Sequence, residues 1–263
     1  MTPRWNDRFP SRLGFADAAA RRRVRALYRM ALEAEGAAMA GEGKRLDAWR
    51  RWLAAGGAGE APERTPAEAL EALRGADLDA RPLEAIAAAW HEDALRRGVE
   101  TLDQLERHAR GTSGAVGRLA LRLAGIGDAK TLELAEALWT ATALTALIRD
   151  TRSFVAAGRV YLPAELLAEH GYGEADLRMG VVNDRFRAVM KEVWKRVRGL
   201  YEESRPLPRR LTWPVSAEVR YGWSTGAALL ARISQGGFDV LHARPALSRW
   251  EPPRLAVMAL LPL

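Results

Sequence analysis

Apolar side chains recur at intervals of three and four residues over five long stretches of the chain: Ala16 to Ala40, Arg81 to Arg110, Asp128 to Val155, Asp176 to Glu202 and Val215 to Gln235. That spacing places them on one face of a helix, and no stretch alternates strictly enough to form a half-buried strand. The pattern predicts an all-α protein. Breaks are expected at Gly56-Gly57-Ala58-Gly59, at Pro62 to Pro66, at Gly125 to Gly127, at Pro206 to Pro208 and at Pro252-Pro253, where glycine and proline punctuate the periodicity. The segments between these breaks are single helices, too short to hold a core of their own, so residues 1–263 are read as one domain.

Composition agrees with the pattern. Ala, Leu, Arg and Glu are strong helix formers, and 263 residues with 48% hydrophobic side chains suffice for one large core. The absence of cysteine excludes disulfides, thiolate nucleophiles and Cys-ligated metals. Met1 to Pro10 lack the apolar run of a signal peptide, and Leu255 to Leu263 are too few to span a bilayer. A cytoplasmic protein is expected, at most touching a membrane surface.

The net charge of +7 is concentrated in Arg21-Arg22-Arg23-Val24-Arg25, in Lys191 to Arg198 and in Pro206 to Arg210. Such surfaces suit anionic lipid or a diphosphate, or they simply solvate the fold. No nucleic-acid module accompanies the charge, and nucleic acid is not expected as a partner. The nine tryptophans, among them Trp49, Trp52, Trp90, Trp139, Trp194, Trp213 and Trp223, are expected to wall either a core or a tunnel for an isoprenoid, acyl or other apolar chain.

Three groups of residues carry candidate chemistry. The run Arg149-Asp150-Thr151-Arg152 ends a long apolar helix and leads into Gly158-Arg159-Val160-Tyr161-Leu162-Pro163. Arg149, Arg152 and Arg159 are candidates to bind a phosphate or carboxylate; alternatively, Asp150 pairs with Arg159 or a neighbouring arginine to hold the helix end. Glu33 and Glu35 follow Tyr28 on an early helix whose next residues, Gly36 to Met39, are small or apolar. His91, Glu92 and Asp93 with His108 form the histidine group suited to acid–base work, the bland alternative being solvent-facing or capping positions.

The order and spacing of these segments resemble the squalene/phytoene synthase family. In its second signature an Arg-Asp-x-x-Glu-Asp helix end precedes Gly-Arg-x-Tyr-Leu-Pro; here Arg149 and Asp150 match the Arg-Asp pair, whereas Ser153 and Phe154 stand at the Glu-Asp pair. In the first signature Tyr28 matches, Glu35 stands at the first Asp and Met39 at the last. Further similarity lies in Asp7-Arg8-Phe9 with Gly14 to Ala18, in Leu46 to Trp52, in Leu105 to Ala109 with Gly114 to Gly117, and in Gly237-Phe238-Asp239-Val240. His108 stands where the family usually has tyrosine.

The resemblance implies an isoprenoid-synthase-type helical bundle around a central cavity, with Tyr28, Arg149, Arg152, Arg159 and Tyr161 at the ligand or phosphate, and with Asp150, Glu35 and His108 as candidate catalytic groups. In the family, paired aspartates four apart grip Mg²⁺, which bridges to the substrate diphosphate. With one carboxylate left in each signature, Mg-diphosphate binding is not expected, and no metal or other cofactor is assigned. The chain resembles the branch related to a complex I assembly factor, in which both signatures are degraded, more than it resembles a working synthase, although it departs from both in keeping Asp150 and the two glutamates of the first helix. A noncatalytic assembly or lipid-binding factor is therefore the leading expectation, and a divergent transferase without the usual Mg²⁺ cluster the alternative.

Overall fold

The computed structural model describes residues 12–14 and 16–260; Asp7, Arg8, Phe9 and Phe15 of the opening block lie outside the described residues. The helices are α1 (Ala18–Met39), α2 (Gly43–Ala54), α3 (Arg64–Arg74), α4 (Arg81–Leu95), α5 (Leu102–Ala109), α6 (Ala115–Leu123), α7 (Ala129–Arg149), α8 (Thr151–Ala156), α9 (Ala164–Glu169), α10 (Glu174–Met179), α11 (Asp184–Ser204), α12 (Val215–Gln235) and α13 (Glu251–Leu260). One π turn, Arg110–Gly114, joins α5 to α6, and a 3-10 turn, Leu207–Arg210, follows α11. Among the described residues, extended pairing is limited to an isolated parallel bridge between Gly98 and Val160.

Local chemistry sets the helix ends. Asp17 accepts hydrogen bonds from the Ala19 and Ala20 amides, Thr101 from the Gln104 amide, Asp128 from the Thr131 amide and Asn183 from the Phe186 amide. Each satisfies an amide that has no partner inside its own helix. Three of the expected helices are interrupted, one of them, Asp128 to Val155, at Asp150 between α7 and α8. The stretch from Arg81 to Arg110 breaks at Arg96 to Thr101, where the chain bridges to Val160, and the stretch from Asp176 breaks at Gly180, which adopts a left-handed φ of 77°. Conversely, Pro66 and Pro252-Pro253 lie inside the first turns of α3 and α13. There the missing N–H costs nothing, and the fixed φ suits a helix start.

α7 occupies the middle of the bundle, flanked by α6, α11 and α12. It is buried nearly throughout, as a helix apolar on every side should be. It is also long and apolar enough to cross a bilayer, but 89% of its apolar window is buried inside the protein. Its close contact with α6 explains the small-residue motif there: a Cβ at Gly117 would lie 2.2 Å from Cγ of Trp139. α1 packs on α3, α4 and α6, α2 packs on α4, and the buried side chains of all these helices form a continuous core.

The direction of the helices fixes which residues share an end. Asp128, at the start of α7, receives a hydrogen bond from Arg210, which follows α11, while Thr145 near the end of α7 meets Tyr201 within α11. α7 and α11 are thus antiparallel. At 1.5 Å per residue, the 21 residues of α7 put Asp150 about 30 Å from the Arg210 end.

Candidate functional site

Of the site residues predicted from the sequence, Arg149, Asp150, Arg159, Tyr161 and His108 fall into two separate polar centres. The first caps the end of α7. Asp150 ends that helix and begins α8, and it is 3% exposed. Arg149 donates to both of its carboxylate oxygens, at 3.1 Å from Nε and 2.6 Å from Nη2. Arg244, from the irregular segment after α12, donates to the same two oxygens at 2.6 and 3.2 Å. Burial pushes the Asp150 carboxyl up, but the hydrogen bonds and positive charge of the two guanidiniums outweigh it and hold the group below the usual carboxylate range. Asp150 is therefore an ionised carboxylate gripped in fork geometry from two sides. Its partners are Arg149 and Arg244, and Arg159 is not among them.

The second centre is built around Asp93, near the C-terminal end of α4 and 4% exposed. Tyr161 donates its phenol hydrogen to the Asp93 carboxylate, 3.0 and 2.9 Å from the two oxygens. Arg159 reaches the same carboxylate at 3.2 Å and also donates to the Asp93 carbonyl at 3.0 Å and to the Arg96 carbonyl at 3.4 Å. Its other terminal nitrogen donates to the Ala38 carbonyl at the end of α1. A single buried guanidinium thus satisfies carbonyls at the C-terminal ends of α1 and α4, where both orphan acceptors and helix dipoles favour a cation.

The Gly-Arg-x-Tyr-Leu-Pro segment makes this tie possible. Gly158 ends α8 with a left-handed φ of 72°, which turns the chain back toward α4. The Val160 amide then donates to the Arg97 carbonyl at 2.8 Å, so Arg159 and Tyr161, on either side of it, enter the interior. Pro163 starts α9.

His108 completes the second centre. Its ring stacks on Tyr161 at 5.9 Å, meets Trp90 edge-on at 5.6 Å and brings Nε2 to 3.8 Å from Asp93. The histidine is 10% exposed, which rules out the solvent-facing position left open by the sequence. Burial, followed by the negative charge of Asp93, pushes the Tyr161 phenol far up, so it remains a neutral donor. The Asp93, Tyr161 and His108 side chains have the chemistry to hold and relay a proton, with Arg159 neutralising the carboxylate.

The remaining candidates lie apart. Arg152 is exposed and donates to the Leu241 carbonyl at 2.8 Å. Together with the separate partners of Arg149 and Arg159, this means that the three arginines do not converge on one phosphate. Tyr28 is buried in the core beside Trp139, and burial drives its phenol well above the usual range. Glu35 is half-buried on α1, and Glu33 pairs with Arg45 at 3.6 Å. Arg244 and Trp90 were not identified as site residues from the sequence. Arg244 lies in an irregular stretch without periodicity, where no motif singles it out.

A divalent cation fits this donor set poorly. Both Asp150 oxygens are occupied by guanidiniums, and Ser153, Phe154 and Met39 bring no carboxylate to it. Among the described residues no three His, Cys, Asp or Glu side chains are grouped to hold a metal.

Comparison with known proteins agrees with the architecture. The family model described as squalene/phytoene synthase matches residues 7–251. The 15-cis-phytoene synthase of Synechococcus elongatus is 29% identical over 221 residues, covering 78% of this chain and 70% of that protein. A dehydrosqualene synthase crystallised with a ligand superposes with a TM-score of 0.77 at 19% identity, over 93% of this chain and 87% of that one. The squalene synthase HpnC of Alicyclobacillus acidocaldarius gives a TM-score of 0.69 at 21% identity, over 83% and 84%.

Proposed function

The chain belongs to the squalene/phytoene synthase family, and from that premise we propose that it keeps the family's scaffold as a lipid- or isoprenoid-binding or assembly factor without the family's Mg²⁺-dependent coupling reaction. The observation that carries this reading is the Asp150 clamp. A carboxylate whose two oxygens each receive two guanidinium hydrogen bonds serves as the structural cap of α7. Breaking those bonds to admit a cation would leave Arg149, itself 4% exposed, without its counter-charge. Departure of a diphosphate needs charge neutralisation of the kind a metal cluster supplies, and the donor set here is poorly suited to provide it.

Calorimetric titration with farnesyl diphosphate, with and without Mg²⁺, tests the reading. Binding that does not depend on the metal supports it; binding that requires Mg²⁺ counts against it.

The second centre favours one other reading, a divergent group transfer. Asp93, Tyr161 and His108 form a buried proton-holding group, and His108 takes a position usually occupied by tyrosine. In that reading His108 exchanges a proton with the ligand while Asp93 orients and stabilises it. A turnover measurable with a prenyl diphosphate and abolished by His108→Phe would favour it over the noncatalytic reading.

A further inference from the structure

The end of the bundle about 30 Å from Asp150 carries a feature that neither polar centre uses. There α11 runs through the 3-10 turn and the Trp213-Pro214 corner into α12, enclosing a cavity of about 440 Å³. Arg205, Arg209 and Arg220 line it together with Pro206, Pro208 and Trp223. Glu202, also on its wall, is already paired with Arg198 at 2.8 Å. The Arg205 and Arg209 side chains are exposed and make no hydrogen bond or ion pair among the described residues.

Apolar side chains share this end. α13 lies antiparallel along α12, held by Arg232 with Glu251 at 2.9 Å and by Arg220 donating to the Met258 carbonyl at 2.6 Å. Val257, Met258 and Leu260 are therefore near Arg220, with exposures of 62%, 49% and 59%, and Trp213 beside the same turn is 73% exposed. The other large exposed apolar side chains, Leu95, Met179 and Trp250, lie in separate parts of the chain.

We propose that this end of the molecule is a membrane-docking face: the cavity between Arg205, Arg209 and Arg220 takes the phosphate of an anionic phospholipid, while Trp213 and the last turn of α13 enter the bilayer interface. Charge complementarity identifies the occupant. The guanidiniums of Arg205 and Arg209, which have no partner among the described residues, beside an exposed indole and an apolar helix end match a lipid, whose headgroup is anionic and whose body is apolar. A soluble phosphate would satisfy the arginines but leave the apolar rim in water. The protein's net charge of +7 adds long-range attraction to such a surface.

Flotation of the full-length protein with phosphatidylcholine vesicles, with and without phosphatidylglycerol, tests the proposal. Binding is expected only with phosphatidylglycerol and should weaken as salt is raised. A basic residue at an anionic surface contributes about fivefold in partitioning, so Arg205→Gln/Arg209→Gln should weaken binding roughly 30-fold. Val257→Asp/Met258→Asp should weaken it at every salt concentration. Circular dichroism checks that both variants remain folded, and since all four side chains are exposed, they should. The proposal is overturned if the protein fails to bind these vesicles, if it binds both compositions equally, if the arginine variant partitions like the parent, or if glycerol phosphate alone occupies the cavity without vesicle binding.

Discussion

The two polar centres share an arginine–carboxylate pair deep in an α-helical bundle, yet they do different work. At Asp150 the carboxylate is the object of the arrangement: two guanidiniums surround it and cap the end of one helix. At Asp93 the guanidinium is the object: Arg159 joins the ends of α1 and α4, and the carboxylate still accepts from Tyr161 and lies near His108. Under the function proposed above, the difference is the means by which a scaffold gives up a metal-binding chemistry while keeping its shape. An aspartate facing a second carboxylate repels it and invites a cation; the same aspartate facing two arginines is neutralised by the protein itself.

The two centres should differ most at Arg159. Arg159→Ala removes the counter-charge of Asp93 and leaves helix-end carbonyls unsatisfied, so a loss of about 3–5 kcal/mol is expected in urea unfolding. Asp150→Ala should cost less, about 2 kcal/mol, because Arg244 is 44% exposed and can turn to water, leaving only Arg149 stranded. An equal or larger loss at Asp150 would mean that the first centre, rather than the second, is the main tie.

Tyr161→Phe sharpens the contrast in a different way, with an expected loss of about 1 kcal/mol at neutral pH. The folded state holds the Tyr161 proton against an ordinary value near 10. Its stabilisation is therefore complete below about pH 10 and is lost as pH rises above it, and the phenylalanine variant should lack that part of the alkaline decline. Asp150 behaves oppositely. Its lowered value gives stabilisation that is present above about pH 4 and lost as pH falls below it. Asp150→Asn should accordingly approach the parent's stability in acid, as followed by denaturant midpoints. Arg244→Ala is the smallest perturbation, at about 0.5 kcal/mol, since solvent already screens part of its interaction with Asp150.

Much of the fold was legible in the sequence because helices report their own period. Val215 to Gln235 matches α12 residue for residue, and the breaks at Gly125 to Gly127 and Pro206 to Pro208 fall between helices. The break after α4 was hidden because Arg96 to Thr101 lacks proline and contains only one glycine; its conformation comes from the distant pairing with Val160. The candidate site was half legible. Arg159, Tyr161 and His108 could be named, but their convergence on Asp93 depends on how α4, α5 and the turn after α8 meet. The expectation that tryptophans line the interior holds for Trp49, Trp90 and Trp139 and fails for Trp213, which the turn before α12 turns outward.

Incubating the purified protein with farnesyl and geranylgeranyl diphosphate, with and without Mg²⁺, and following both product and retained ligand by mass spectrometry shows whether the protein carries out the Mg²⁺-dependent coupling. Retained ligand is expected without a coupled hydrocarbon or its diphosphate intermediate, whether or not the metal is added. A Mg²⁺-dependent coupled product that disappears in Asp150→Asn would contradict that expectation, since it would show that Asp150 leaves its arginines to serve the reaction.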